Sequence, residues 1–395
     1  MRYASITDRL AGLGSDKWAV HIEGRAMKHE GQDVIELTIG EPDIPAPVEL
    51  VDVADKAMRA GRTGYASGRG EPSMVSALSA KYTERTGRPI GPEHILCFSG
   101  TQTALYAVMM GIAEAGDEVI TGDPLYATYD GVIKATGAVP VSVPLRSENG
   151  FRLRADDLEA AITPRTRAVL LNTPHNPTGA TLTRQDIAEI GEVCRRHNLW
   201  IVSDEVYEQL VFDGEFASPL DNAALADRTV VVASISKSHA VPGFRSGWCV
   251  GPAEFTDRLQ PLSETMLFGN QPFIADMAGY ALSHPSTAAA TMKENYLRRA
   301  KKIVGKLDGV AGLSCKLPQA GMFIVLDARA TGLSGTEFAL RLLREEKVSV
   351  MPGESFGHYF GGYLRLSLTV ADNRVDEACE RIARLAERLT RKKSA

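Results

Sequence analysis

Cysteine is sparse in this chain of 395 residues. Its five cysteines (Cys97, Cys194, Cys249, Cys315 and Cys379) lie far apart, with no Cys-x-x-Cys pair among them. That pattern argues against a disulfide framework and a cysteine-ligated zinc site, so reduced core thiols in a reducing compartment are expected. Long apolar runs are missing too. None approaches the ~20 residues that cross a bilayer, and the opening stretch Met1–Leu10 lacks the apolar core of a signal peptide. The expectation is a soluble, cytoplasmic protein with no membrane partner. Neither sign of charge is in excess: 44 basic and 49 acidic residues leave a net charge of −5, no footing for nucleic acid. No fixed-period repeat, low-complexity tract or long charge run is present either, and the 44% hydrophobic and 24% charged content excludes a disordered or a fibrous chain.

What is present is alternation. Short β-branched runs at Glu118–Thr121, Ala168–Leu171, Trp200–Ser203 and Thr229–Ala233 are interleaved with helical patterns at Thr103–Ala115 and Gln185–His197. Strands spaced by helix-length segments imply an α/β fold, a mainly parallel sheet covered by helices on both faces. Each strand runs out into a polar or Gly/Pro cluster: Ser99-Gly100, Gly122-Asp123-Pro124, Asn172-Thr173-Pro174 and Ser203-Asp204-Glu205. In open α/β sheets, ligands bind beyond those carboxyl ends. After about Ser283 the pattern changes to a charged helix around Lys293–Leu307 and strands at Met322–Asp327, Val348–Met351 and Tyr363–Leu368. A last helix places Val375, Ala378, Cys379, Ile382, Leu385 and Leu389 on one stripe. The expected division is an N-terminal arm and start of a small domain over residues 1–40, a large domain over 41–283, and a small α+β C-terminal domain over 284–395. The Pro-rich stretch Gly40–Pro47 marks entry into the large domain.

The turn Ser234-Ile235-Ser236-Lys237 through Arg245-Ser246-Gly247 follows a buried-looking strand and gathers a lysine, hydroxyls and an arginine. Partial burial lowers a lysine pKa and frees its lone pair for amine chemistry. Taken alone, the turn fits a solvated surface loop equally well. Ser234-x-x-Lys237 also matches the first motif of serine acyl-transfer enzymes, but the Ser-Asp-Asn and Lys-Thr-Gly partners of that family are absent downstream. Gly68-Arg69-Gly70 lacks the third glycine and the preceding strand of a dinucleotide fingerprint.

Other strand ends decide between these readings. Asn172-Thr173-Pro174-His175-Asn176-Pro177-Thr178-Gly179 closes one strand and Ser203-Asp204-Glu205-Val206-Tyr207 the next; Lys237 follows Asp204 by 33 residues and Arg245 follows Lys237 by 8. With these motifs the chain resembles, over essentially its whole length, the aspartate-aminotransferase superfamily: fold-type I pyridoxal-phosphate enzymes of aminotransferase class I/II. Several stretches, among them Arg146–Arg152 and Phe212–Glu215, look like those of bacterial arginine–pyruvate transaminases. They lie largely outside a side-chain pocket and report kinship more than specificity.

The resemblance implies a transaminase that moves an amino group from an L-amino acid to a 2-oxo acid, with pyridoxal 5′-phosphate as cofactor. It also implies residue roles. Lys237 would bond to the cofactor aldehyde and later shuttle the proton; Asp204 would keep the pyridine nitrogen protonated. Asn176 and Tyr207 would hydrogen-bond the ring's phenolic oxygen, and Tyr126 would stack on the ring. Gly100, Thr101 and Gln102, at a helix start, would bind the phosphate together with Ser234 and Arg245. Tyr65 would reach the phosphate of a neighbouring subunit, making a homodimer with shared active sites. Arg365, a charge in the middle of an apolar strand, would grip the substrate α-carboxylate, with a backbone donor from Gly40 and Asn176 nearby. No metal is implied. Fold-type I β-lyases and related enzymes keep the same cofactor residues and stand as the alternative function.

Overall fold

The computed structural model describes residues 1–11, 13, 16–267 and 269–393. Among these are twelve strands: β1 (Ile35–Leu37), β2 (Ile95–Phe98), β3 (Glu118–Asp123), β4 (Val139–Pro144), β5 (Thr166–Asn172), β6 (Trp200–Asp204), β7 (Thr229–Ser234), β8 (Gly247–Val250), β9 (Ser314–Cys315), β10 (Phe323–Asp327), β11 (Val348–Pro352) and β12 (Tyr363–Ser367). Seven of them form one sheet in the order β2-β8-β7-β6-β5-β3-β4. Strand β8 is antiparallel to both neighbours, and the remaining pairs are parallel. Helices cover both faces. Along β7 every position is buried: Val230 and Val232 pack toward Leu105 and Phe255 on one side, Val231 and Ala233 toward Met74 and Trp248 on the other. A strand buried on two faces reads as a continuous apolar run, which is why Thr229–Ala233 shows no polar alternation.

The other five strands form a second sheet, β1-β11-β12-β10-β9. Its first strand comes from the N-terminal segment, pairing Ile35 opposite Val348. The stripe of the last helix (Asp372–Lys393) enters this sheet's core through Val375, Ala378, Cys379, Ile382 and Leu385. It packs beside helix Thr287–Leu307, and ion pairs Arg298–Asp372 and Lys302–Asp376 join the two.

Two helices differ from their expected bounds, each for a local reason. The helix expected over 103–115 spans Thr101–Ile112. It starts early because Gly100, at φ 90°, turns the chain off β2 in a conformation that L side chains rarely adopt, and it stops where Ala113 is extended. The charged helix expected from Lys293 begins at Thr287, where the Ser286 side chain accepts a hydrogen bond from the Ala289 amide and caps the turn. All five cysteines are buried free thiols. Among the described residues no helix is long and apolar enough to cross a membrane.

Candidate active site

Parallel pairing brings the carboxyl ends of β3, β5, β6 and β7 to one edge of the large sheet. A cavity of about 260 Å³ opens there, walled by that edge, the start of helix Thr101–Ile112, and Phe323 and Arg365 from the second sheet. Eleven of the thirteen residues singled out in the sequence line it: Gly40, Thr101, Gln102, Tyr126, Asn176, Asp204, Tyr207, Ser234, Lys237, Arg245 and Arg365. Gly100 stands just behind, with the Arg245 guanidinium so close to its Cα that a side chain there would clash. Tyr65 lies elsewhere and is 96% exposed.

Asp204 ends β6 and is 4% exposed. Its carboxylate accepts from the Tyr129 hydroxyl at 2.8 Å and from the Val206 amide at 3.2 Å. Burial outweighs these bonds and raises its pKa to about 6. Lys237 follows β7, and its Nζ donates to the Gly40 carbonyl at 2.7 Å. Burial, with Arg245 and Arg365 nearby and Glu41 opposing them, lowers its pKa to about 8. Gly40 therefore meets the lysine through its carbonyl, a contact the sequence did not suggest. A side chain at Gly40 would strike the Phe323 ring. Asn176 and Tyr207 face each other, Nδ2 to hydroxyl at 3.5 Å, and burial pushes the Tyr207 phenol well above its ordinary value. Tyr126 is half-buried, edge-on to Tyr129 at 5.5 Å.

Arg365 sits in the centre of β12 and is 2% exposed, its guanidinium between the rings of Phe323 and Phe356 at 3.9 and 4.5 Å. Its nitrogens donate to Asn176 Oδ1 at 3.0 Å and to the Thr38 carbonyl, while Nε is buried with no partner. Among the described residues no carboxylate pairs with it. Burial pulls its pKa down to about 10, so it stays cationic at neutral pH. A buried cation without an anion is costly, and a bound carboxylate would offset that cost.

The helix start is the other polar end. Thr101 Oγ1 is buried with no partner, and a Cβ on Gly247 would lie 2.6 Å from the Gly100 carbonyl carbon and 2.7 Å from the Thr101 nitrogen. Glycine there lets β8 approach the helix N-terminus, where backbone N–H groups and the helix dipole favour an anion. Arg245 completes this cup, held in the left-handed region at φ 53° by the turn that carries it. Gln102 is exposed at the rim and accepts from Thr128 at 3.0 Å.

Sequence reasoning missed Tyr129, Thr38, Phe323, Phe356 and Trp18, of which Trp18, Tyr129 and Phe323 line the cavity. Tyr129 was within reach, since it shares the run Asp123–Tyr129 with Tyr126. The others carry no local signal. No cluster of metal-ligating side chains occurs among the described residues.

An anion cup, a carboxylate facing the cavity interior, an amine of lowered pKa and a second anion site thus share one chamber. The family model for aminotransferase class I and II matches residues 32–382. The chain belongs to that family. This aminotransferase is 43% identical to the arginine–pyruvate transaminase AruH of Pseudomonas aeruginosa, over 98% of this chain and 99% of that protein. It is 34% identical to an aspartate aminotransferase of Geobacillus stearothermophilus over 97% of this chain and 99% of that protein. The crystal structure of the Rhizobium meliloti aspartate aminotransferase superimposes with a TM-score of 0.93 at 31% identity, covering 98% of this chain and 99% of that one. The aminotransferase is a pyridoxal-phosphate enzyme. The orphaned Thr101 hydroxyl at the helix start and the buried Asp204 fit the phosphate and the pyridine nitrogen of that cofactor.

Proposed function

We propose that this cavity carries out both halves of an amino-group transfer between an L-amino acid and a 2-oxo acid. The observation that carries the reading is Arg365, a buried guanidinium with no carboxylate partner, in the same chamber as Lys237. In this reading Thr101, Ser234, Arg245 and the backbone after Gly100 hold the phosphate, with Gln102 at the rim. Asp204 holds the ring nitrogen, Asn176 and Tyr207 the phenolic oxygen, and Tyr126 the ring face. When bound, pyridoxal phosphate supplies an aldehyde for amine exchange and a ring that accepts the electron pair released at the substrate Cα. The chain's own residues do the rest. Asp204, ionised above about pH 6, keeps a proton on its ring partner. Lys237 Nζ, partly neutral near pH 8, is placed to take the Cα proton and return it. Arg365 orients the α-carboxylate of donor and acceptor in turn, so one pocket serves both.

Among the described residues of one chain, the cationic groups lining the cavity are Lys237, Arg245 and Arg365, and the reading uses all three. These residues alone therefore give no support to a strict dicarboxylate preference. With the Pseudomonas relative in view, L-arginine and pyruvate are the first pair to test. Mixing holoenzyme with a panel of amino acids, L-arginine and L-aspartate included, should convert the cofactor once and then stop until an oxo acid is added. Sustained ammonia release without oxo acid would replace this reading with a β-lyase.

The same reading makes the enzyme a homodimer in a reducing compartment such as the cytoplasm, where its buried thiols persist. Tyr65 is exposed and does not line its own cavity; it lies in a region where the Ser67 carbonyl approaches Gly269 and exposed Met266 and Leu267 lie close by in sequence. These suit a subunit contact that delivers Tyr65 to the partner's phosphate. In heterodimers of a Tyr65→Phe subunit and a Lys237→Ala subunit, one site carries both lesions and the other neither. Activity above that of either parent is expected; none above the parents would count against sharing.

A further inference from the structure

Helix Thr287–Leu307 contributes none of the described residues that line the cavity, yet it and its cap bond to three segments that do supply lining residues. At its start, the Ser286 hydroxyl donates to the carbonyl of Ser238 at 2.6 Å, one residue past Lys237. Three turns on, Arg299 is 4% exposed, and its Nη1 donates both to Asp43 Oδ2 at 2.7 Å and to the Leu368 carbonyl at 2.8 Å. Asp43 lies three residues past Gly40, whose carbonyl receives the Lys237 amine. Leu368 directly follows β12, three residues past Arg365. One nitrogen thus clasps the loop that forms one wall of the carboxylate pocket to the strand that supplies the other.

We propose that Arg299 is a positioning residue for the α-carboxylate pocket: by gripping Asp43 and the Leu368 carbonyl together, it sets the gap between the Gly40 loop and Arg365. The proposal rests on the reading of Arg365 as the carboxylate ligand. Docking of the helix itself does not require Arg299, because Arg298–Asp372 and Lys302–Asp376 already tie it to the last helix. Two other side-chain bonds span the same gap: from Thr369 Oγ1 to the Ile39 carbonyl at 3.3 Å, and from Arg365 itself to the Thr38 carbonyl. The first is neutral and longer than the Arg299 bonds, and so weaker; the second is made by the arginine whose distance from the Gly40 loop is being set. Losing the arginine would also leave an acidic side chain and a buried carbonyl without their donor, which favours a wider gap.

The test uses holoenzyme and 2-methylalanine, whose Cα has no hydrogen to lose, so that its dissociation constant is read from cofactor absorbance apart from proton removal at Cα. Arg299→Met should raise that constant by about tenfold or more, the effect of losing one charge-assisted bond. KM should rise for amino acid and oxo acid alike, with kcat and the absorbance of the resting enzyme nearly unchanged. Arg299→Lys should recover part of the affinity. Should Arg299→Met fail to fold, Asp43→Asn, at a partly exposed position, is expected to weaken 2-methylalanine by roughly threefold. A lower kcat at constant KM, or unaltered affinity in Asp43→Asn, would overturn the proposal. Arg365→Ala is run in parallel. Unaltered affinity there removes the pocket and the proposal together, whereas affinity lost there but kept in the Arg299 and Asp43 variants refutes the proposal alone.

Discussion

Asp204→Asn is expected to slow turnover by two or more orders of magnitude while the fold and cofactor binding survive. Asp204 is the only carboxylate among the described residues that line the cavity, so none of these neighbours replaces its charge. A neutral amide cannot hold a proton on the pyridine nitrogen, and at ~1.4 kcal/mol per factor of ten the loss is roughly 3 kcal/mol of transition-state stabilisation. Near-normal turnover would mean that another group supplies the negative charge. The same substitution should make the apoenzyme more stable at pH 8. The folded-state pKa of Asp204 is raised to about 6 by burial. Its favourable contribution is therefore complete below the unfolded value near 4 and is lost as pH rises through about 6. At pH 8 the buried charge costs on the order of 3 kcal/mol, which Asn removes. Thermal unfolding of the two apoenzymes should differ at pH 8 and converge near pH 4.

Arg365→Ala should weaken the amino acid and the oxo acid together. Removing one member of a buried, hydrogen-bonded charge pair costs roughly 2–5 kcal/mol, about thirty- to several-thousand-fold in affinity. The resting cofactor absorbance should change far less than substrate affinity, because Arg365 bonds Asn176 at that end and otherwise reaches Lys237 through its charge alone. Arg365→Lys should also fall well short: an ammonium cannot present the planar fork that lies between Phe323 and Phe356. Binding constants for both substrates, measured in separate half-reactions, check this. Weakening of only one would show that donor and acceptor use different carboxylate sites.

The legibility of this fold from sequence varied with how local each signal was. Strands β5, β6 and β7 announced themselves as apolar runs, and their polar ends coincide with the cavity edge because parallel strands must end on the same side. Strand β8 passed unnoticed: its four residues open on Gly247, and its antiparallel pairing with β2 and β7 depends on chain distant in sequence. Strand β4 is interrupted by Pro140 and closed by Pro144, which are tolerated because it lies at the sheet edge. Within the site, Arg365 was legible as a charge set among apolar residues, whereas Lys237 and Asp204 were legible through the order and spacing of the motifs at the strand ends. The Tyr129–Asp204 bond spans 75 residues, and the aromatic slot around Arg365 is made by Phe323 and Phe356 from different segments. Neither has a signature in the residues beside it. The closing carbonyl contact of Gly40 with Lys237 likewise follows from tertiary packing, since only a glycine there clears the Phe323 ring.

The central claim is that Lys237 is the amine that carries the cofactor. Borohydride reduction of the holoenzyme followed by peptide mapping tests it most directly. The account predicts one pyridoxyl group per chain on Lys237, none in Lys237→Ala, and a rate of cofactor capture by the apoenzyme that rises with pH through about 8, the value to which burial lowers this amine. A pyridoxyl group on any other lysine of the wild-type chain would contradict it.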